Sequence, residues 1–194
     1  MQKESVYHIS NKIQEEEMLV IELAKKDMKN FAPLYDKYYE QIFHFCYQRL
    51  NTKENAFDVA AQVFLKAMTN LHKFTYKGVP FSSWLFRIAK SELGNEFKKN
   101  KKSRTINITD KQIKDLSHEI QEPENDDEVR AQLIQSLKLL NENNLSIVEM
   151  RFFEKRRFKE IGEILDITEN NAKIRLYRAL DKLKALLKTN NLRR

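Results

Sequence analysis

Apolar residues recur every three or four positions through most of the chain, which is the spacing of one face of an α-helix. The first such run, residues 15–29 (EEEMLVIELAKKDMK), opens on Glu and closes on Lys, the order a helix dipole prefers. Residues 31–50 repeat Phe31, Leu34, Tyr35, Tyr38, Ile42, Phe45 and Leu50. Residues 54–71 repeat Ala56, Ala60, Val63, Phe64, Ala67 and Leu71. A connector, KFTYKGVPFSS, breaks the pattern with Gly78 and Pro80, and residues 82–98 resume it with Trp84, Leu85, Ile88, Ala89 and Leu93 inward. Four helices of this length predict one bundle over residues 10–101.

The pattern then changes. A basic knot (Lys98, Lys99, Lys101, Lys102, Arg104) precedes residues 115–128, which carry seven acidic side chains and no Lys or Arg. Leu116 and Ile120 are too few to make a core, so residues 102–128 read as an acidic flexible linker, at least partly disordered. Beyond it, residues 129–140 and 144–154 predict two helices. Residues 157–165, the turn Asp166-Ile167-Thr168 and residues 169–188 predict a helix-turn-helix, giving a second small domain over 129–190. Its inward set is Phe158, Ile161, Ile164, Leu165, Ile167, Ala172, Leu176, Ala179, Leu180 and Leu183, and Thr168 is placed to cap the second helix.

Composition agrees with an all-α fold. The 194 residues include only 3 Gly and 3 Pro, too few for strands that need a turn every 8–12 residues or so. A formal net charge of +7 favours polyanionic partners, nucleic acid or an anionic membrane face. The single cysteine, Cys46, lies among Phe43, Phe45 and Tyr47; it rules out an internal disulfide and reads as a buried thiol. His8, His44, His72 and His118 are scattered without metal-ligand spacing, and no Gly-rich phosphate loop or activated nucleophile occurs. No catalytic residue, metal or cofactor is expected. The start of the chain lacks the apolar core of a signal peptide, and no stretch approaches the roughly 18 apolar residues of a membrane span. A cytoplasmic protein without membrane insertion is expected.

Three groups of side chains have candidate roles. Asp58, Gln62 and Lys66 stand one helical turn apart on one polar face, which by itself reads as ordinary solvated surface. Phe74, Tyr76 and Phe81 flank Lys73 and Lys77 in the connector; they either pack on the bundle or form a pocket for an extruded base. Asn170, Asn171, Lys173, Ile174, Tyr177 and Arg178 occupy the N-terminal half or outward face of the second helix of the helix-turn-helix, where a DNA-reading helix meets base edges. Arg175 is a candidate for a phosphate.

Two long segments carry a family resemblance. EIGEILDITENNAKIRLYRALDKLKALL resembles the C-terminal promoter-reading domain of bacterial RNA polymerase sigma factors. DMKNFAPLYDKYYEQIFHFCYQRL, AFDVAAQVFLKAMTNLHKF and PFSSWLFRIAK together resemble their N-terminal domain. No large domain separates the two, as in the extracytoplasmic-function (ECF) group. The resemblance implies a promoter-reading subunit, not an enzyme in its own right. Its partners would be core RNA polymerase, promoter DNA and, as is common in the family, an anti-sigma factor. Asp58, Gln62 and Lys66 would dock on the polymerase. Phe74, Tyr76, Phe81 and Ser91 would read the minus-ten element, with Arg87, Lys90 and the basic knot at 98–104 holding its phosphates. Asn170, Asn171, Lys173, Ile174, Arg175, Tyr177 and Arg178 would read the minus-thirty-five element. The acidic linker would thread the polymerase's nucleic-acid channels. The chain departs from the family pattern at Phe57, Ala61, Lys90, Ser91, Asn95, Asp166 and the run Asn170-Asn171-Ala172. Two competing readings are a helix-turn-helix regulator that acts without polymerase, and a helical adaptor or DNA mimic working through its acidic segment.

Overall fold

A computed structural model describes residues 11–100, 106–120 and 127–192, and these are helices joined by short connectors in two compact units that divide between Asn107 and Ile108. The fold is all-α; residue 101, at the end of the expected first domain, and residues 102–105 and 121–126 of the expected linker lie outside the described residues.

In the first unit, α1 (Asn11–Lys26), α2 (Ala32–Tyr47), α3 (Lys53–Asn70) and α4 (Phe81–Asn100) form the expected bundle. Local chemistry sets the boundaries. The Asp27 side chain accepts from the Lys29 N–H at 3.0 Å and opens the 3₁₀ turn Met28–Phe31, which replaces the expected end of the first helix. The Thr52 hydroxyl accepts from the Asn55 N–H at 3.2 Å and starts α3. Ile42, Phe45, Ala60, Val63, Leu85 and Ala89 fill the core, and Cys46 is buried among them. Asn107 closes the unit. Its side-chain amide donates to the Tyr47 and Leu50 carbonyls at 2.8 and 3.1 Å, and its N–H donates to the Gln48 carbonyl, which satisfies acceptors past the end of α2.

The second unit comprises α5 (Asp110–Ile120), α6 (Asp127–Lys138), α7 (Glu142–Val148), α8 (Phe158–Leu165) and α9 (Glu169–Leu192). Helix α5 lies where the sequence predicts linker. Thr109 and Gln112 cap it reciprocally: the Thr109 N–H donates to the Gln112 side chain at 2.9 Å, and the Gln112 N–H donates to the Thr109 hydroxyl at 3.4 Å. Ile113, Leu116 and Ile120 share one face, and that face is buried within the unit. Asp110 pairs with Arg130 at 2.6 Å, and Asp115, the first acid of the acidic run, pairs with Lys155 at 2.5 Å, so surface ion pairs also join α5 to the unit. The single helix expected over 144–154 is instead α7 followed by a wide π turn, Glu149–Phe153. Lys155, with φ 55°, redirects the chain there and turns Arg156 into the interior beside the Glu154 and Glu160 carboxylates.

The turn between α8 and α9 is tight. Asp166 adopts the left-handed conformation (φ 58°, ψ 47°), which a short polar residue tolerates. The Ile167 N–H donates to the Gly162 carbonyl at 2.9 Å, and the Thr168 hydroxyl accepts from the Asn171 N–H at 3.2 Å, the expected cap of α9. A Cβ on Gly162 would lie 2.7 Å from the Ile167 carbonyl oxygen, so the turn presses against α8 where only glycine leaves room.

Candidate functional site

The polar face of α3 borders a groove against α4. Asn55, Asp58, Gln62, Glu92, Asn95 and Glu96 line about 480 Å³ of space. Asp58 and Gln62 are therefore brought together as expected. Lys66, one turn on, is drawn across to α4: its ammonium lies 2.6 Å from the Glu92 carboxylate, which is 10% exposed. Lys66 thus ties α3 to α4, while Asp58 and Gln62 face outward. Beside Asp58, the ring of Phe57 is 47% exposed and lies 4.5 Å from Phe43, itself stacked between Tyr39 and Tyr47. This exposed aromatic edge was not among the sequence candidates. Its signal was Phe57, one of the positions where the chain departs from the pattern of the family it resembles.

In the 74–81 connector the structure separates three candidates that the sequence grouped. Phe74 and Phe81 are 5% and 1% exposed, pack edge to face at 5.0 Å, and each lies 5.4 Å from Trp84. The expectation that these two rings meet a base is corrected, because both are buried against each other and Trp84. They form the floor of a loop that carries Tyr76, 45% exposed, and turns at Gly78 with φ 69°. On α4, Arg87 and Lys90 are half-buried and Ser91 is exposed; the spacing puts all three on one stripe of the helix.

Helix α9 buries Ala172, Leu176, Ala179, Leu180 and Leu183 and turns Asn170, Lys173, Ile174, Tyr177 and Arg178 outward. Ile174 and Tyr177 are 42% and 59% exposed, too apolar to be there for solubility. Asn171 is half-buried, and its side-chain oxygen accepts from Arg175 Nε at 3.0 Å, so it orients a guanidinium. Lys173 lies 3.7 Å from Glu169 and 5.7 Å above the Phe158 ring, whose centroid is also 4.8 Å from the Arg151 guanidinium. Phe158, read from sequence as a core residue, is half-buried and steadies two cations.

Among the described residues, no group of three or more His, Cys, Asp or Glu side chains converges to hold a metal, and no helix is long and apolar enough to cross a membrane.

Comparison with known proteins assigns each unit separately. The family described as Sigma-70 region 2 matches residues 34–103, and Sigma-70, region 4 matches residues 136–185. The chain is 28% identical over 160 residues to the ECF RNA polymerase sigma factor BldN of Streptomyces coelicolor, across 81% of this chain and 60% of BldN, so it spans less than two thirds of that relative. It is 27% identical over 154 residues to the ECF RNA polymerase sigma factor SigM of Bacillus subtilis, across 79% of this chain and 92% of SigM. The solved structure of CnrH in complex with the cytosolic domain of CnrY shares the fold, with a TM-score of 0.58 at 17% identity over 89% of this chain and 96% of CnrH. With region 2 falling inside the first helical unit and region 4 inside the second, the chain belongs to the sigma-70 family, in its extracytoplasmic-function group.

Proposed function

We propose that this sigma factor binds core RNA polymerase and directs promoter-specific initiation by dividing the promoter between its two units. The observation that carries the reading is α9. Behind a turn that admits only glycine at position 162, it presents Lys173, Ile174, Tyr177 and Arg178 on one outward face, the form of a helix that enters the major groove. Arg178 has the reach and planar fork to engage guanine, and Arg175, oriented by Asn171, holds a phosphate. In the first unit, Tyr76 stacks on a base extruded from the minus-ten element while Arg87, Lys90 and Ser91 follow the strand. Asp58 and Gln62, with the Phe57 ring beside them, dock on the polymerase. There the polar pair gives register and the aromatic ring gives buried area.

Sigma factors are in general non-catalytic DNA-recognition subunits. On this reading the chain has no reaction of its own, works in the cytoplasm, and is open to sequestration by an anti-sigma protein. Run-off transcription decides between the readings. Added core polymerase gives promoter-specific transcripts if the chain is a working sigma factor. Tight operator-like binding by the chain alone, with no transcripts, favours a free-standing regulator, and no DNA binding in either setting favours an adaptor.

A further inference from the structure

Helix α1 lies before the residues matched to Sigma-70 region 2, which begin at 34. Nothing about that match explains why α1 carries a buried carboxylate. Glu17 is 6% exposed and stands on the inward stripe of α1 with Ile21 and Ala24, both fully buried. Its carboxylate accepts from three directions: the Lys37 ammonium at 2.8 Å, the Tyr38 hydroxyl, and the Phe81 N–H at 3.4 Å. Phe81 is the first residue of α4, so Glu17 places a negative charge on the open N–H groups at that helix start. Two turns further along the same stripe, Lys25 donates to the Phe74 carbonyl oxygen at 3.0 Å, with Glu22 2.8 Å from its ammonium.

Phe74 and Phe81 are the two ends of the loop that carries Tyr76. Their rings already close the base of the loop at 5.0 Å. Helix α1 adds a bond to the backbone of each end, from two side chains eight positions apart on a single rigid helix. A loop of this length would otherwise sample many conformations, and ordering it during base capture would oppose binding.

We infer that α1 is a strap that fixes the base-capturing loop before DNA arrives, with Glu17 and Lys25 as positioning residues for promoter melting. This rests on the reading that Tyr76 receives an extruded base. Neither positioning residue touches DNA; each acts through the loop's ends.

The test uses the full chain assembled with core polymerase, on a promoter selected by the wild-type protein and carrying 2-aminopurine in the non-template strand of the minus-ten element. Lys25→Met keeps the aliphatic stem and removes the bond to Phe74. Open-complex formation is measured for wild type, Lys25→Met, Tyr76→Ala and the double variant, with core affinity and helical circular dichroism recorded for each. The strap predicts that Lys25→Met slows opening roughly fivefold, the scale of one lost hydrogen bond. It also predicts that Lys25→Arg restores opening, and that Lys25→Met has no further effect once Tyr76 is Ala. Glu17→Gln, which keeps an acceptor for Phe81 but loses the charge, should give a smaller defect with the same dependence on Tyr76. Equal defects from Lys25→Met in both backgrounds would place its effect elsewhere and overturn the strap. So would a Tyr76→Ala defect alongside a Lys25→Met variant that behaves like wild type. If neither variant alters opening, the base-capture reading itself fails and the strap with it.

Discussion

Gly162 sets two opposing terms against each other. In the interior of a helix, Gly→Ala ordinarily stabilises by about 1 kcal/mol, because alanine gives up less backbone freedom on folding. Here the added methyl would stand 2.7 Å from the Ile167 carbonyl oxygen and 3.3 Å from the Glu169 nitrogen. Both neighbours are backbone, so no side chain can swing aside. The turn must open by several tenths of an ångström, against its own hydrogen bond from Ile167 to the Gly162 carbonyl. Overpacking of this kind costs about 1–3 kcal/mol, and a rigid neighbour puts the cost in the upper half of that range. The net expectation is a loss of about 1–2 kcal/mol, which for a unit of this size lowers its melting temperature by roughly 4–15 °C. Because the displaced turn leads straight into α9, whose first nitrogen, Glu169 N, is the second close atom, α9 also tilts. Minus-thirty-five-dependent transcription should therefore fall more than stability alone explains at temperatures where the unit remains folded. Differential scanning of the full chain, followed by transcription at 20 °C and 37 °C, separates the two effects. A Gly162→Ala variant with an unchanged or higher melting temperature would show that the turn is slack and that helix propensity wins.

Leu116→Ala should destabilise the second unit by roughly 2–5 kcal/mol, the range for a buried leucine, as read by urea unfolding; a tether residue would give almost nothing. Asp58→Lys should weaken core-polymerase affinity without changing the helical circular-dichroism signal, and unchanged affinity in a fluorescence binding assay would move the docking face elsewhere. Tyr76→Ala should slow open-complex formation on duplex promoter, with a pre-melted bubble recovering part of the loss; wild-type behaviour on both templates would remove Tyr76 from the melted strand. Arg178→Ala should cost about 1–3 kcal/mol and relax preference at one minus-thirty-five position across a promoter library. A uniform loss over all sequences, with a salt dependence flatter by about one unit, would make Arg178 a phosphate contact instead.

Helix positions were legible because each helix buries one stripe, and the same stripe is visible as a period in the sequence. Leu176, Ala179 and Leu183 are recognisable in both. The helix α5 escaped because composition outvoted pattern. Residues 115–128 are so acidic that Ile113, Leu116 and Ile120, at spacings of three and four, read as stray apolar positions. The Thr109–Gln112 capping box was an available signal. Other features had no local signature at all. Lys66 and Glu92 are 26 residues apart, and only the packing of α3 on α4 brings their charges together. Phe74 and Phe81 look like Tyr76 in composition, and only the bundle decides which rings it takes in.

That sorting has a chemical logic at both proposed DNA surfaces. At each proposed surface, a residue assigned to the nucleic acid has a support: Asn171 bonds Arg175, Phe158 lies under Lys173, and Phe74 and Phe81 close the base of the loop that carries Tyr76. Arg and Lys side chains each lose up to about 2 kcal/mol of rotamer freedom when immobilised on a ligand. A partner that restricts the side chain beforehand moves that loss from binding into folding, where the buried stripe of α9 offsets it. The same reasoning favours aromatic or amide groups over further acids as such supports. A carboxylate behind a phosphate-binding cation would neutralise the charge that attracts DNA, whereas a ring face or an amide oxygen orients the cation and leaves its charge in place. Glu169 does lie beside Lys173, but at 3.7 Å and with both side chains about half exposed the pair is weak, so on the proposed reading the lysine is able to turn to a phosphate.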